Sequence, residues 1–408
     1  MKSLRICQVS DGAAEYPPFG ADTPSWETHR LSTALSDIGH DVQAIILPQA
    51  HGHYNYQIHH SDFPYWRNRY FNKLLFGLGV PRVLRRLDTE SPFDVIHFHS
   101  PIPAAIGLME GATKAKSVIT WGDPAIGSAR PENQVSDAIR IGRGLSNLTQ
   151  VGSFLFQRVA VDSVDKIIVV SKAIKKALKA VHRLPDSKIE IIHPGVDTRL
   201  FKPAKDVENV RSRLGLPKNV PVVLCPARIA PLKAQVDLIE AIPILKKQIG
   251  SVKVVLVGHV TDSRYFQEIV MRSKELAVRD CIEFRGVVSA QDFPLYYASS
   301  DVVVLASSRE GLPSSLLEAM SCGRPIVATD IPGNREAIGD TGGVQWVPVH
   351  RPDLLSEKIS VAIRDSNLRE AAMSEGREMV AKNYSWEGVA FKTTSVYMDL
   401  VRDSSMHR

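Results

Sequence analysis

Asp301-Val-Val-Val-Leu305, followed by Glu310-Gly-Leu-Pro-Ser-Ser-Leu-Leu-Glu318, decides how this chain is read. A short strand-like run leads into a turn carrying Gly311 and Pro313. The spacing then predicts a helix from near Ser315 through Leu316-Leu-Glu-Ala-Met320, stopped by Gly323 and Pro325. Serine favours a helix start, and glycine with proline its end. Glu310 thus falls in a loop at a strand's carboxyl end, and Glu318 in the first turn of the next helix. In an open α/β sheet ligands bind in the crevice beyond those strand ends. A helix start there offers free N–H groups to phosphate. A carboxylate would repel phosphate and has to face hydroxyls instead, so a ligand with both, such as a nucleotide sugar, suits the stretch. A plainer reading fits the same residues. Ser315-Leu-Leu-Glu318 has capping-box spacing, and Glu310 could be a solvated loop acid.

Outward from this stretch, strands and helices alternate in both directions. Strand-like runs precede it at Val220–Cys225, Val252–Val257 and Ile282–Phe284, and follow it at Pro325–Ala328 and Val344–Val347. Helical stretches Ala234–Lys247 and Ser263–Val278 lie between them. A similar series fills the first half: Leu4–Val9, Asp41–Leu47, Asp94–Phe98, Ser117–Thr120, Lys166–Val170 and Lys188–Ile192, with a helix from about Trp26 to Asp37. Such alternation predicts parallel, doubly wound sheets. The expected fold class is α/β, with two Rossmann-like domains facing a cleft. Residues 1–196 form the first, 197–206 a polar hinge, and 207–385 the second. A last helix over 386–408 has no strand after it and is expected to pack back on the first domain. Residues 48–92 and 122–160 carry no readable pattern. A length of 408 residues is more than one ordinary core, which agrees with two domains.

Hydrophobic and charged contents of 44% and 23% are those of a soluble globular protein. A net charge of +6 permits an anionic ligand or surface without selecting one. Cys7, Cys225, Cys281 and Cys322 form no Cys-x-x-Cys pair, which argues against a zinc site or disulfide framework and fits a reducing cytoplasm. The chain enters its first strand at once, leaving no room for a signal peptide, and no run reaches the roughly eighteen apolar residues of a membrane span. Two basic amphipathic stretches, Ser171–Arg183 and Tyr65–Phe76, could rest on anionic lipid. The first reads more readily as a core-facing helix with a solvated rim.

Arg228 and Lys233, in Pro226-Ala-Arg-Ile-Ala-Pro-Leu-Lys233, again follow a strand and precede a helix. Arginine supplies a bidentate fork and lysine a point charge, both suited to phosphate. Solvated loop cations are the alternative. Gly258 ends a strand, where a missing side chain lets a ligand approach. His193-Pro-Gly-Val-Asp197 closes the last strand of the first half.

Taken together, Glu310-Gly-Leu-Pro, Glu318-Ala-Met and Cys322-Gly-Arg-Pro-Ile-Val-Ala-Thr329 resemble the two-glutamate signature of retaining family-4 glycosyltransferases. Arg228 and Lys233 match that family's arginine–lysine pair. His193-Pro-Gly-Val-Asp197, Val169-Val-Ser-Lys172 and Gly39-His-Asp-Val42 are similar to its other recurrent stretches. The resemblance implies the GT-B fold and a metal-independent transfer from a UDP- or GDP-sugar to a hydroxyl acceptor, which could be a small molecule, a lipid-linked group or a glycan. It implies catalytic roles for Glu310, Arg228 and Lys233, and ribose binding by Glu318. Gly311, Leu312, Pro313, Ser314, Ser315 and Leu316 would complete the donor cradle, with Gly258, Gly20, His99 and Asp123 as further donor contacts. No cofactor, metal or nucleic-acid partner is implied, and the expected location is cytoplasmic, with the inner membrane face as a site of peripheral contact. Two departures stand out. Gly20-Ala-Asp-Thr-Pro24 replaces the family's Gly-Gly pair, and Thr120-Trp-Gly122-Asp123 replaces its Thr-x-His, leaving His97, His99 or Asp123 to substitute. A non-catalytic nucleotide-sugar-binding subunit, or a GT-B epimerase or phosphorylase, is the alternative.

Overall fold

The computed structural model describes residues 2–11, 23–46, 55–60, 69–109, 111–122 and 144–406. Two compact units share them. One contains the described residues up to Pro194 together with the last helix, and the other runs from Gly195 to Ser385.

The first unit holds β1 (Arg5–Ser10), β2 (Asp41–Ile46), β3 (Gln57–His60), β4 (Val95–Phe98), β5 (Lys116–Trp121), β6 (Lys166–Val169) and β7 (Ile189–Ile191). They form one parallel sheet in the order β3-β2-β1-β4-β5-β6-β7. Interior strands of such a sheet are covered on both faces and therefore read as unbroken apolar runs. That is why the five interior strands are visible in the sequence, and the edge strand β7 is visible through its alternating Ile189 and Ile191. β3 is not, because Gln-Ile-His-His at a half-exposed edge carries almost no apolar signal. The stretches without a readable pattern contain helices Arg69–Glu90 and Gly144–Ser163.

The helix Trp386–Met406 belongs to the first unit, where Ala390 and Tyr397 are fully buried in one cluster with Ile6, Leu31 and Leu35. His40 latches it. Its Nδ1 accepts the Leu4 amide at 3.1 Å, which leaves Nε2 to face the Thr394 hydroxyl at 3.0 Å. The Gly39-His-Asp-Val42 stretch thus acts through this bond.

The second unit holds β8 (Val222–Pro226), β9 (Lys253–Val257), β10 (Ile282–Gly286), β11 (Val302–Leu305), β12 (Ile326–Thr329) and β13 (Val344–Val347). Their order is β10-β9-β8-β11-β12-β13, all parallel. The winding reverses between β8 and β11. The segment expected as a hinge, 197–206, belongs to this unit. Phe201 is 3% exposed and meets Phe293 and Tyr297 edge-on, and the Asp197 carboxylate accepts the amides of Arg199 and Leu200.

Because Tyr397 fills the core of the first unit, Tyr397→Ala should destabilise that unit by about 3–5 kcal/mol, as other buried aromatic truncations do. Urea unfolding followed with probes in each unit should shift the first transition and leave the second in place. An unshifted first transition would mean that the last helix is not part of that core.

Candidate active site

β8 and β11 are hydrogen-bonded neighbours, with Val302 opposite Val223 and Val303 opposite Leu224, yet their connections leave in opposite directions. Their carboxyl-end loops therefore part around a crevice, the place where open α/β sheets take ligands. Lys233 arrives on the β8 loop and Glu310 on the β11 loop. Lys233 Nζ donates to Glu310 Oε1 at 2.5 Å, with side-chain exposures of only 17% and 8%. Arg228, on the same loop as Lys233, is exposed, and no ion pair of its guanidinium occurs among the described residues. The site thus offers one masked and one open cation.

Backbone contacts hold these loops. The Ser308 amide donates to Leu232 O at 2.9 Å, tying the two loops to each other. On the other side, Ile229 N donates to His259 O at 2.9 Å and Thr261 N donates to Ile229 O at 3.1 Å. Gly258, at φ +150°, leaves no room for a side chain, because a Cβ there would strike the Ala227 carbonyl. The space read as an approach for a ligand is therefore filled by the Ala227–Arg228 peptide. Ala234 sits at φ 47°, a left-handed conformation that costs a non-glycine residue roughly 1–2 kcal/mol. It turns the chain between Lys233 and the helix Gln235–Ile249.

Two supports escape sequence reasoning. Gly333, after β12, lies so close to the β11 loop that a Cβ would stand 2.5 Å from the Glu310 carbonyl oxygen and 3.0 Å from that of Gly311. Asn334 donates to Thr329 O at 2.8 Å, and the Thr329 hydroxyl donates to Ser307 O at 2.5 Å. The only available signal was a glycine just after a strand, and such glycines are common. Among the described residues the buried Ser307 Oγ, Asn334 Oδ1 and Gln235 Oε1 have no hydrogen-bond partner.

The helix after Glu310 spans Ser314–Ser321, and its N-cap is Pro313, with no side-chain cap. The capping-box reading of Ser315 and Glu318 is therefore not realised, and Glu318 lies in the second turn, not the first. It is 9% exposed and accepts the Tyr297 hydroxyl at 2.5 Å. Burial pushes its carboxyl up to about 7, while the Tyr297 bond pulls the other way. Gly311, Leu312, Pro313 and Leu316 are buried, and Ser314 and Ser315 half-buried. The uncapped amides of this helix start are suited to an oxygen-rich ligand.

In the first unit, His97 has both ring nitrogens engaged, Nδ1 with the Tyr397 hydroxyl at 2.6 Å and Nε2 with Thr120 at 2.7 Å. It is a buried network member, with no nitrogen left to replace a sugar-facing imidazole. His99 is partly exposed and engages Gln8 through Nε2 at 2.6 Å. Gly20 and Asp123 lie outside the described residues. Ser171 caps the helix Lys172–His182 by accepting the Ile174 amide, which gives the Val169-Val-Ser-Lys172 stretch a local structural role. On that helix Ile174 and Leu178 are buried, and Lys175 and Lys179 both pair with Asp186. Its apolar face is thus occupied by the core.

Residues 28–200 match the model for Glycosyltransferase Family 4, and residues 206–379 that for Glycosyl transferases group 1. The chain is 27% identical over 320 residues to D-inositol 3-phosphate glycosyltransferase from Salinispora arenicola, covering 76% of this chain and 69% of the relative. It is 25% identical over 399 residues to an uncharacterized glycosyltransferase from Methanocaldococcus jannaschii, covering 94% and 96%. Among solved structures, sucrose-phosphate synthase from Thermosynechococcus elongatus superposes with a TM-score of 0.77 at 19% identity, covering 98% of this chain and 100% of that one. Anabaena HepE, solved with UDP and glucose, gives 0.75 at 18% identity over 97% and 100%.

The raised carboxyl of Glu318 has a signed consequence. Between its ordinary value of 4.5 and about 7 the folded chain binds a proton that the unfolded chain lacks, so this group's contribution to stability falls as pH rises through that window. Glu318→Gln should flatten this part of the stability profile. Tyr297→Phe should push the Glu318 carboxyl higher still, read by carbon-13 NMR titration. A Glu318 titration near 4.5 in the native chain would show an open, hydrated carboxylate.

Proposed function

Because the chain belongs to the family-4, group-1 glycosyltransferases of the GT-B fold, we propose that it transfers a sugar from a nucleoside-diphosphate sugar to a hydroxyl acceptor, with retention of configuration and without a metal ion. One observation carries the reading: Lys233 and Glu310 meet at the switch point of the second sheet, with Arg228 open beside them. Arg228 and Lys233 bind the diphosphate and stabilise the charge that grows on it as the glycosidic bond breaks, the work a divalent ion would otherwise do. Glu310 accepts hydrogen bonds from hydroxyls of the transferred sugar, and Glu318 from those of the ribose. The helix start at Ser314 adds its dipole on the phosphate side. Retention follows from attack on the face the diphosphate leaves, with a departing phosphate oxygen taking the acceptor's proton.

UDP and GDP are the favoured donor carriers, and HepE, a fold neighbour, was solved with UDP. The acceptor is a small polyol or polyol phosphate, taken by the first unit. Two observations support this choice over a lipid surface. The Salinispora relative is named for an inositol phosphate, and the basic helix Lys172–His182 has its apolar face buried. Among the described residues no helix is long and apolar enough to cross a membrane.

Calorimetric screening of UDP-, GDP- and ADP-sugars, followed by product analysis with inositol phosphates, tests the reading. Turnover should survive excess EDTA, and the product should keep the donor's anomeric configuration. Arg228→Ala and Lys233→Ala should each lower turnover by about 10²–10³, the loss seen when one oxyanion donor is removed. A strict magnesium or manganese requirement, or full activity in the double variant, would remove the diphosphate role of these cations.

A further inference from the structure

Lys233 does not stand free at the switch point, because Glu310 holds it. A lysine ammonium offers three donors and no acceptor, and here a carboxylate 2.5 Å away takes one of them. Both side chains are largely shielded from water, so solvent screens the pair weakly. The backbones carrying them are pinned by the Ser308–Leu232 hydrogen bond and by Gly333 against the Glu310 carbonyl. A change of partner therefore falls to rotation of the two side chains, with the loops in place.

We propose that Glu310 is the resting counter-ion of Lys233, and that after transfer it retakes the lysine and drives the nucleoside diphosphate out. This rests on the diphosphate reading of Lys233 given above. An incoming donor meets the exposed Arg228 first, its phosphate then draws Lys233 away, and its sugar hydroxyls replace the ammonium as partners of Glu310. Once the sugar has gone to the acceptor, the nucleoside diphosphate has no hydroxyl for Glu310. The carboxylate is left facing phosphate without a partner, and recovers one only by competing for Lys233. One residue thus holds the sugar before transfer and weakens product binding after it. No bond is made or broken in this exchange.

The consequence is opposite to that of deleting an ordinary ligand contact. UDP and GDP should bind Glu310→Gln and Glu310→Ala about tenfold or more tightly than the native chain, since a charge-assisted bond no longer competes. The two variants guard against misfolding in one of them, and thermal melts confirm that each is folded. In a Lys233→Met background the tightening should shrink, because only simple repulsion is then relieved. Titration calorimetry on the full chain reads all of these affinities. Equal or weaker binding in both Glu310 variants overturns the proposal, and in that case a loss of affinity in Lys233→Met alone would leave the diphosphate site standing. If Lys233→Met binds UDP and GDP as well as the native chain, the proposal and the diphosphate reading fall together.

Discussion

A half-buried lysine and a half-buried glutamate, brought within 2.5 Å from two different loops, organise the second unit. Each charge has its partner there, and removing one would leave the other facing a site with little water to screen it. The fold makes the meeting possible. β8 and β11 lie side by side, and because the winding reverses between them no helix crosses the gap above their ends. What the two loops present into that gap is free to touch, and through it, a ligand.

The rest of the site is scaffolding for this pair. Gly258 lets the β9 end lie against the Ala227–Arg228 peptide, and Gly333 brings the start of the helix after β12 against Glu310. Ala234 holds a left-handed turn beside Lys233, strain of a kind that persists only where the surroundings over-determine it. Tyr297 performs the equivalent service for Glu318, fixing a carboxyl that burial would otherwise leave without a partner. In each case a backbone or aromatic contact, and not a further charge, sets where a charged group points.

Much of this was legible in the sequence because it is local. A run such as Asp301–Leu305 announces a buried parallel strand by itself, and two acids spaced around a turn and a helix start announce a strand-end site. What was not legible depends on contacts between distant segments. Serine three residues before Glu318 mimics a capping box, and only the position of Pro313 and the Tyr297 hydroxyl show that no such box forms. His97 reads as a candidate ligand until Tyr397, three hundred residues away, is seen to take its Nδ1. Gly258 and Gly333 carry no local mark that separates them from ordinary turn glycines, because what needs their missing side chains is another loop.

Whether a diphosphate takes Lys233 from Glu310 at the β8–β11 switch point can be read from a crystal structure of the chain soaked with UDP or GDP. Phosphate oxygens are expected within hydrogen-bond distance of Lys233 Nζ and the Arg228 guanidinium, with the ribose hydroxyls at Glu318 and Glu310 turned away from the lysine. A bound nucleotide elsewhere on the chain, or one seated at the switch point with the Lys233–Glu310 bond intact, would contradict that expectation.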